Sequence, residues 1–237
     1  MEDVIDTRAV ARLDARFESA LDAEGWAPIP RLLGRTACER LRDLYGDDAR
    51  FRSTVVMARH GYGRGEYRYF AYPLPEPVAT LRASLYEGLA PMANRWSAAL
   101  GSDVRYPPRH ADYLARCHAA GQTRPTPLLL RYGEGDYNCL HQDLYGEHVF
   151  PLQVVVLLSV PGAEFEGGEL VMTEQRPRMQ SRAMVLPLAQ GDAVAIAVHH
   201  RPVQGVRGMH RVNLRHGVSR VTRGDRRTLG IIFHDAA

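Results

Sequence analysis

The stretch YNCLHQDLYGEHVF, residues 137–150, places His141 and Asp143 with one residue between them, just before an apolar run, PLQVVVLLSV, at 151–160. The run is short and rich in valine and leucine, which is typical of a buried strand. Side chains two residues apart on a strand point to the same face of the sheet. We therefore expect His141 and Asp143 to project together from the end of a strand into the interior of a β architecture.

The chain changes character at residue 127, where short apolar runs begin to alternate with glycine and proline. Seven runs predict seven strands: TPLLLRYG, FPLQVVVLLSV, GGELVMTE, AMVLPLAQ, DAVAIAV, NLRHGVSRV and RRTLGIIFH. Strands at this density favour a closed barrel or two packed sheets.

The N-terminal half contains the predicted helices. Amphipathic patterns predict four of them, over 8–25, Thr36–Tyr45, Pro77–Leu100 and Ala111–Ala120. The segment FRSTVVMARHGYGRGEYRYF, residues 51–70, predicts a hairpin with a glycine-rich turn. We expect a helical layer with a β-hairpin over 1–126, packed on a β-barrel over 127–237 as one continuous domain.

The composition limits the class of protein. With 45% apolar residues in 237, the chain can bury a large core, and it has no run of apolar residues long enough to span a bilayer. The charged N-terminus lacks the apolar segment of a signal peptide. Three widely spaced cysteines, Cys38, Cys117 and Cys139, predict neither a zinc pair nor a disulfide framework. These features predict a cytoplasmic protein that does not enter membranes.

The net charge of +3 is spread unevenly along the chain. Between Arg176 and Arg227 there are eleven arginines against two acidic residues. Such clustering indicates an anionic ligand or partner, although a solvated basic face is an equally good interpretation.

The His-x-Asp pair is also a pair of metal ligands, although an isolated pair is common as a surface histidine beside a turn aspartate. Two histidines and one carboxylate leave open positions on a first-row metal, as in non-haem Fe(II) oxygenases. His216, in HGVSRVTRGDRRTLGIIF, is the candidate third ligand. The preceding segment, HHRPVQGVRGMHRVNLR, supplies three rivals, His199, His200 and His210.

Arg226 lies ten residues after His216. A guanidinium binds a carboxylate through two parallel hydrogen bonds, so Arg226 is suited to hold the far carboxylate of 2-oxoglutarate. A three-residue turn at Arg223–Asp225 would put Thr222 opposite Arg226 and place Arg226 on the face of His216, whereas a two-residue turn would place it on the opposite face. The first register is the one that this function requires.

The motifs HQD, GGEL and HGVSRVTRGDRRTL together resemble those of 2-oxoglutarate/Fe(II) dioxygenases of the prolyl-4-hydroxylase type. The segment RYGEGDYNCLHQD also resembles the AlkB-type nucleic-acid demethylases. More closely, the whole chain resembles a bacterial family of predicted 2-oxoglutarate oxygenases described as acting on damaged nucleic acid. The resemblance implies an α+β fold with a double-stranded β-helix, the jelly-roll barrel of the cupins, under a helical N-terminal layer.

The resemblance implies a role for each matching residue. His141, Asp143 and His216 would be the iron ligands, and Arg226 would bind 2-oxoglutarate with help from three neighbours, Tyr132, Thr228 and Gln153. His210 stands sixteen residues before Arg226, nearer to the AlkB-type spacing, but His216 fits the motif as a unit. Gln153 is more simply a capped residue at a strand end, and Cys139 is more simply a small buried residue.

The implied reaction oxidises an unactivated C–H bond, by hydroxylation or oxidative demethylation, while 2-oxoglutarate is converted to succinate and CO2. It implies Fe(II), 2-oxoglutarate and O2, with ascorbate as an optional reductant.

Nucleic acid is the favoured substrate. The arginine-rich C-terminal half suits phosphate contacts, and the hairpin interleaves arginines with rings suited to base stacking: Arg59, Arg64, Arg68, Tyr62, Tyr67, Tyr69 and Phe70. A hairpin that simply packs on the barrel is an equally good interpretation. The alternatives are a hydroxylase of an amino acid, peptide or small metabolite, and a non-catalytic cupin-like protein that binds metal or sugar. The oligomeric state is left open.

Overall fold

The computed structural model describes residues 13–206 and 208–237. The helices in these ranges are α1 (Ala15–Glu24), α2 (Arg35–Asp43), α3 (Glu76–Ala99) and α4 (His110–Ala119). The strands are β1 (Trp26–Ile29), β2 (Phe51–Val56), β3 (Gly63–Arg64), β4 (Glu66–Phe70), β5 (Leu128–Tyr132), β6 (Tyr137–His141), β7 (Leu152–Leu157), β8 (Phe165–Gly167), β9 (Leu170–Gln175), β10 (Arg182–Leu186), β11 (Ala193–Ala197), β12 (His200–Gly205), β13 (Gly208–Val218), β14 (Val221–Gly224) and β15 (Arg226–Ile232).

Two antiparallel sheets form the double-stranded β-helix. The larger sheet has the strand order β1-β11-β7-β15-β5-β4-β2. The smaller sheet has the order β10-β9-β13-β6-β3, with β12 paired to β13, and β14 pairs separately with β8. Strands from both sides of residue 126 pair with one another, because β4 adjoins β5 and β1 adjoins β11. The predicted fold class, a jelly-roll barrel with a helical N-terminal layer, is confirmed.

The helical layer packs on the larger sheet. Tyr86 of α3 places its ring 4.8 Å from that of Phe150 and 6.1 Å from that of Phe233, at the ends of β7 and β15. Alternate residues of β15 divide between the two faces, since Leu229 and Ile231 join the main apolar core while Thr228 lines a cavity between the sheets. No helix in the described ranges has the length and apolarity needed to cross a membrane.

A buried polar cluster fixes the C-terminal end of β15. The guanidinium of Arg82 in α3 donates to the carbonyl of Ile232 at 2.8 Å and forms an ion pair with Asp235 at 2.8 Å. His118 and Tyr72 each contact the other carboxylate oxygen of Asp235 at 2.8 Å. This cluster holds in place a strand whose inner face lines the cavity.

All seven strands predicted from residue 127 onward are present, and the three helices predicted beyond residue 35 are confirmed to within one or two residues at each end. Within the described residues, the helix predicted over 8–25 begins at Ala15, where the carboxylate of Asp14 accepts from the backbone amides of Arg16 and Phe17. Residues 8–12 of that prediction lie outside the described residues. The segment before His216 that supplies the rival histidines forms the β12–β13 hairpin.

Two local predictions about strand geometry are wrong. β6 ends at His141, so Asp143 lies in the connection that follows and not on the strand. β14 pairs with β8 and not with β15, so neither proposed turn joins β14 to β15 and Thr222 is exposed. The chain instead crosses between the two sheets here, and this crossing delivers Arg226 to the inner face of the larger sheet.

Candidate active site

The three predicted metal ligands converge in the structure. His216 of β13 and His141 of β6 are direct cross-strand partners, with ring centroids 4.2 Å apart. The carboxylate of Asp143 places Oδ2 3.3 Å from His216 Nε2 and Oδ1 3.6 Å from His141 Nε2. Each residue offers one ligand atom within 4.8 Å of the other two. Two imidazoles and one carboxylate at this separation can hold a first-row metal with positions left open.

A hydrogen bond to the backbone sets the tautomer of His141. Its Nδ1 lies 2.8 Å from the carbonyl oxygen of Cys139, and a carbonyl only accepts, so Nδ1 carries the proton and Nε2 keeps a lone pair that can bind a metal. His216 Nε2 lies 3.0 Å from the amide nitrogen of Gln153 and 3.3 Å from Oδ2 of Asp143, while its Nδ1 is buried without a hydrogen-bond partner. Nε2 of each histidine is therefore the nitrogen that faces Asp143.

The charge states of the triad also suit a metal. Burial favours the neutral form of Asp143, but hydrogen bonds and nearby imidazoles outweigh it and hold the pKa of Asp143 well below its usual range. Burial, together with the neighbouring His216, lowers the pKa of His141. At neutral pH the site therefore holds an anionic carboxylate and an uncharged imidazole at His141.

The triad opens onto a cavity of about 360 Å³ between the two sheets, and Arg226 lies at one end of it. Its guanidinium is buried, and its Nε and Nη1 atoms have no hydrogen-bond partner. Burial lowers the pKa of Arg226 to about 10, so the group is still charged at neutral pH. Burying an unpaired cation is costly, and an anionic ligand in the cavity would offset that cost.

The neighbours of Arg226 shape the part of the cavity around its guanidinium. Tyr132 lies directly opposite Arg226 on β5, and its hydroxyl accepts from the amide of Asn138 at 3.3 Å. Gly168 has a φ of +63°, and a Cβ there would lie 2.8 Å from Cδ of Arg226. The second glycine of the GGEL motif therefore makes room for the arginine. Asn138 and Gly168 were not among the predicted site residues, although the GGEL motif contains the glycine.

The remaining predicted residues also line this cavity. Thr228 is buried two residues after Arg226 on the same face of β15. Gln153 is buried beside His216 and its Oε1 has no partner, so it is not the capped residue at a strand end that we expected. Cys139 is exposed at the cavity mouth, and the expectation that it is buried is wrong. The reason is that β6 lies where the smaller sheet opens to solvent.

The rival histidines lie away from the triad. His210 pairs with Val203 in the β12–β13 hairpin. It stands six residues before His216 on the same strand, a separation of about 20 Å at the usual strand rise. His199 and His200 contact each other, with ring centroids 4.1 Å apart. Within residues 13–206 and 208–237, the only cluster of three candidate ligands is His141, Asp143 and His216.

Part of the cavity lining is aromatic. Four tyrosines contribute to the lining: Tyr62, Tyr67, Tyr69 and Tyr145. Tyr67 and Tyr69 point to one face of β4 and meet edge to face, with centroids 5.4 Å apart. Arg68 points the other way, where it pairs with Asp48 at 2.6 Å. The predicted hairpin thus turns its tyrosines inward, whereas Arg59 and Arg64 are exposed and Phe70 is in the core.

The arginine-rich segment, residues 176–227, carries less unpaired positive charge in the folded protein than its sequence suggests. Five of its arginines form ion pairs with carboxylates: Arg176 and Arg201 with Glu174, Arg182 with Glu24, Arg223 with Glu166, and Arg227 with Asp225. Most of these acidic partners come from outside the segment, so the charge count along the chain overstated the positive surface.

The fold and the site define the class of protein, which is the 2-oxoglutarate/Fe(II) oxygenases, a group of oxidoreductases. The fold is similar to that of a Pseudomonas putida prolyl-4-hydroxylase (TM-score 0.51, 14% identity, covering 94% of this chain and 99% of that one). It is also similar to that of a 2OG-Fe(II) oxygenase family oxidoreductase from Burkholderia pseudomallei (TM-score 0.54, 16% identity, covering 94% and 91%).

The chain belongs to the Oxygenase-NA family, described as an oxygenase catalysing oxidative methylation of damaged DNA, whose model matches residues 65–236. An uncharacterized protein of Mycobacterium tuberculosis is 49% identical over 207 residues, which cover 86% of each chain. Membership of an oxygenase family rules against the non-catalytic cupin-like alternative.

Proposed function

We propose that His141, Asp143 and His216 hold Fe(II) and that Arg226 binds the far carboxylate of 2-oxoglutarate. The observation that carries this proposal is the buried guanidinium of Arg226, unpaired at two nitrogens, in the same cavity as the triad. A buried cation without a partner calls for an anion, and a dicarboxylate can meet both the cation and the metal. When bound, the iron supplies the oxidising chemistry, with O2 as the second co-substrate.

The protein's own groups would orient the co-substrate. Arg226 and the hydroxyl of Thr228 would take the far carboxylate, because both lie on the inner face of β15. The hydroxyl of Tyr132 is held by Asn138 and would donate to the same ligand. Gln153, beside His216, would contact the end nearer the metal.

We further propose that the substrate is a nucleobase presented from a single strand or flipped out of a duplex. The aromatic lining of the cavity suits a flat ring, because its tyrosines could stack on a base face. At the mouth, Tyr62 and Leu140 are about half-exposed and would meet neighbouring bases. The family description, which names damaged DNA, points the same way.

A hydroxylase of a peptide, amino acid or small metabolite is the second candidate. The observation that favours it is the internal pairing of five C-terminal arginines, since paired arginines are less available to phosphates. The three unpaired cysteines support a cytoplasmic location for either enzyme, because thiols persist in a reducing compartment.

One assay distinguishes the nucleic-acid substrate from the peptide or small-molecule substrate. The purified protein is incubated with Fe(II), 2-oxoglutarate and ascorbate as reductant, and succinate is measured with and without a substrate. Alkylated single-stranded DNA and RNA oligomers are set against pools of peptides and amino acids. We expect alkylated oligomers to stimulate succinate formation and unmodified oligomers of the same sequence to do so much less. Stimulation by the peptide or amino-acid pool alone would favour the second candidate.

A further inference from the structure

The two carboxylate oxygens of Asp143 have different partners. The hydroxyl of Tyr145 donates to Oδ1 at 2.6 Å, while Oδ2 is the oxygen 3.3 Å from His216 Nε2. Tyr145 comes two residues after Asp143, in the connection between β6 and β7, and it is not a candidate metal ligand. A hydrogen bond to an ionised carboxylate is short and strong, so it constrains the orientation of the whole group.

Tyr145 is itself held from two sides. The hydroxyl of Tyr69 on β4 donates to the hydroxyl of Tyr145 at 3.2 Å, and the two rings meet edge to face with centroids 6.4 Å apart. The backbone is fixed independently, because the side-chain amide of the buried Gln122 donates to the carbonyl of Tyr145 at 2.9 Å. The series of hydrogen bonds from Tyr69 through Tyr145 to Asp143 therefore connects the larger sheet to the carboxylate. The hydrogen bond from Tyr69 polarises the Tyr145 hydroxyl and so strengthens its bond to Asp143.

The inference rests on the proposed iron site. We propose that Tyr145 is a positioning residue that keeps Asp143 a ligand through one oxygen. Its hydroxyl engages Oδ1, which also lies 3.6 Å from His141 Nε2, and leaves Oδ2, the oxygen nearest His216, without a hydroxyl partner and available to the metal. A carboxylate that bound through both oxygens would fill one of the positions that a two-histidine, one-carboxylate site leaves open. Tyr145 would therefore preserve the position that an oxygenase needs for its co-substrates, and Tyr69 would hold Tyr145 in that task.

A positioning role for Tyr145 and a purely structural role predict different effects of removing its hydroxyl. Partners behind a metal ligand orient it, and their loss typically weakens metal affinity by about 10–100-fold. A structural tyrosine would lower the melting temperature without changing how the carboxylate meets the metal. Metal affinity and the infrared signature of the carboxylate therefore separate the two roles without any measurement of turnover.

The test compares Tyr145→Phe with the matched variant Tyr106→Phe. Tyr106 is also half-buried, but its hydroxyl donates to the backbone carbonyl of Val149 at 3.1 Å. Mn(II) is titrated into each protein, and electron paramagnetic resonance measures how much of it is bound. Difference infrared spectra then record the splitting between the two carboxylate stretches, which narrows when both oxygens bind. We expect Tyr145→Phe to weaken Mn(II) binding by about 10–100-fold and to narrow the splitting, and Tyr106→Phe to change neither.

A folded Tyr145→Phe protein with unchanged Mn(II) affinity and unchanged splitting would overturn the inference while leaving the proposed iron site standing. If the wild-type protein bound no divalent metal, the proposed function would fail and this inference would fail with it. Should Tyr145→Phe not fold, Tyr69→Phe serves instead, because it removes only the support behind Tyr145. We expect it to weaken Mn(II) binding by a smaller factor, and unchanged binding in that variant would count against the inference.

Discussion

Arg226 and Tyr132 lie directly opposite each other on β15 and β5, with the guanidinium carbon 5.6 Å from the centre of the tyrosine ring. The ring of Phe165 lies at a similar distance, 5.9 Å, so aromatic groups surround a cation that has no carboxylate partner in the described part of the chain. Aromatic faces stabilise a buried cation only modestly, by about 2 kcal/mol or somewhat more. A buried cation in this setting is costly, and on that ground we propose that an anionic ligand binds to it.

The triad makes the first prediction. His141→Ala, Asp143→Ala and His216→Ala should each abolish tight binding of Mn(II) or Fe(II), because two ligands hold a metal far more weakly than three. His210→Ala is the matched control and should bind metal normally, since His210 lies on the β12–β13 hairpin. Titration of each variant with Mn(II) measures metal binding, and circular dichroism checks that the variant is folded. Loss of metal binding in His210→Ala together with normal binding in His216→Ala would show that the ligand set is wrong.

The second prediction concerns the space beside Arg226. Gly168→Ala would place a Cβ 2.8 Å from Cδ of Arg226 and should displace the guanidinium, raising the Kd for 2-oxoglutarate by at least about tenfold. That factor corresponds to about 1.4 kcal/mol, a modest part of a charge-assisted pair. Gly162→Ala is the control, because Gly162 also has positive φ, +78°, but no atom lies within 4 Å of its added Cβ.

Both substitutions at glycine should lower stability by about 1 kcal/mol through backbone strain, but only Gly168→Ala should weaken 2-oxoglutarate binding. Calorimetric titration of each metal-loaded variant with 2-oxoglutarate measures the difference. Equal affinity in the two variants would mean that Gly168 does not shape the site.

The sequence predicted which residues converge better than it predicted the strand pairing that brings them together. His141, Asp143, His216 and Arg226 were identified because their chemistry and spacing repeat a pattern that needs no knowledge of strand pairing. The turn before Arg226 was wrong because β14 pairs with β8, a non-local contact that no local pattern reports.

The charge count failed for a similar reason. Five of the eleven arginines in residues 176–227 pair with carboxylates, and pairs such as Arg182–Glu24 and Arg201–Glu174 join residues far apart in the sequence. The strand β12 was missed because it contains polar residues and a proline, so its apolar periodicity is weak. Tyr145 had no signal in the sequence, since only the folded chain brings Tyr69 to it.

A third prediction follows from buried imidazoles. Burial lowers the pKa of His110 from 6.5 to about 4, so the unfolded chain takes up this proton at a higher pH than the folded chain does. The stability that neutral His110 contributes is complete above about pH 6.5 and is lost as the pH falls toward 4. The loss amounts to about 3 kcal/mol by pH 4.

His110→Gln should flatten this dependence, because glutamine can still donate to the carbonyl of Phe233 but does not titrate. Thermal melting of the metal-free proteins between pH 7.5 and 4.5 measures it. The exposed His60 provides the control, and His60→Gln should melt with the wild-type pH dependence. Identical curves for wild type and His110→Gln would assign the acid sensitivity to other groups.

The fourth prediction concerns nucleic acid. Labelled single-stranded DNA should bind with a log–log salt slope near −0.7 for each phosphate contact. Arg59→Ala and Arg64→Ala should weaken binding and reduce the slope, because both side chains are exposed and flank Tyr62 in sequence, and Arg64 makes only a long ion pair with Asp136, at 3.8 Å. Arg68→Ala should leave the slope unchanged, because Arg68 is engaged with Asp48. Fluorescence anisotropy at two salt concentrations measures all three, and no binding at low salt would favour the small-molecule or peptide hydroxylase.

The most direct test of the central proposal is an anaerobic titration of the Fe(II)-loaded protein with 2-oxoglutarate, following the visible charge-transfer absorption of the complex. We expect a saturable band with one 2-oxoglutarate bound per protein, lost in His216→Ala. In Arg226→Ala the band should persist, but half-saturation should need at least about 100-fold more 2-oxoglutarate. The reason is that removing one partner of a buried charged pair costs about 3–5 kcal/mol. Arg215→Ala, which removes an exposed arginine next to His216, should titrate like the wild type. No band in the wild-type protein, or equal affinity in Arg226→Ala, would contradict the assignment of this cavity as a 2-oxoglutarate/Fe(II) site.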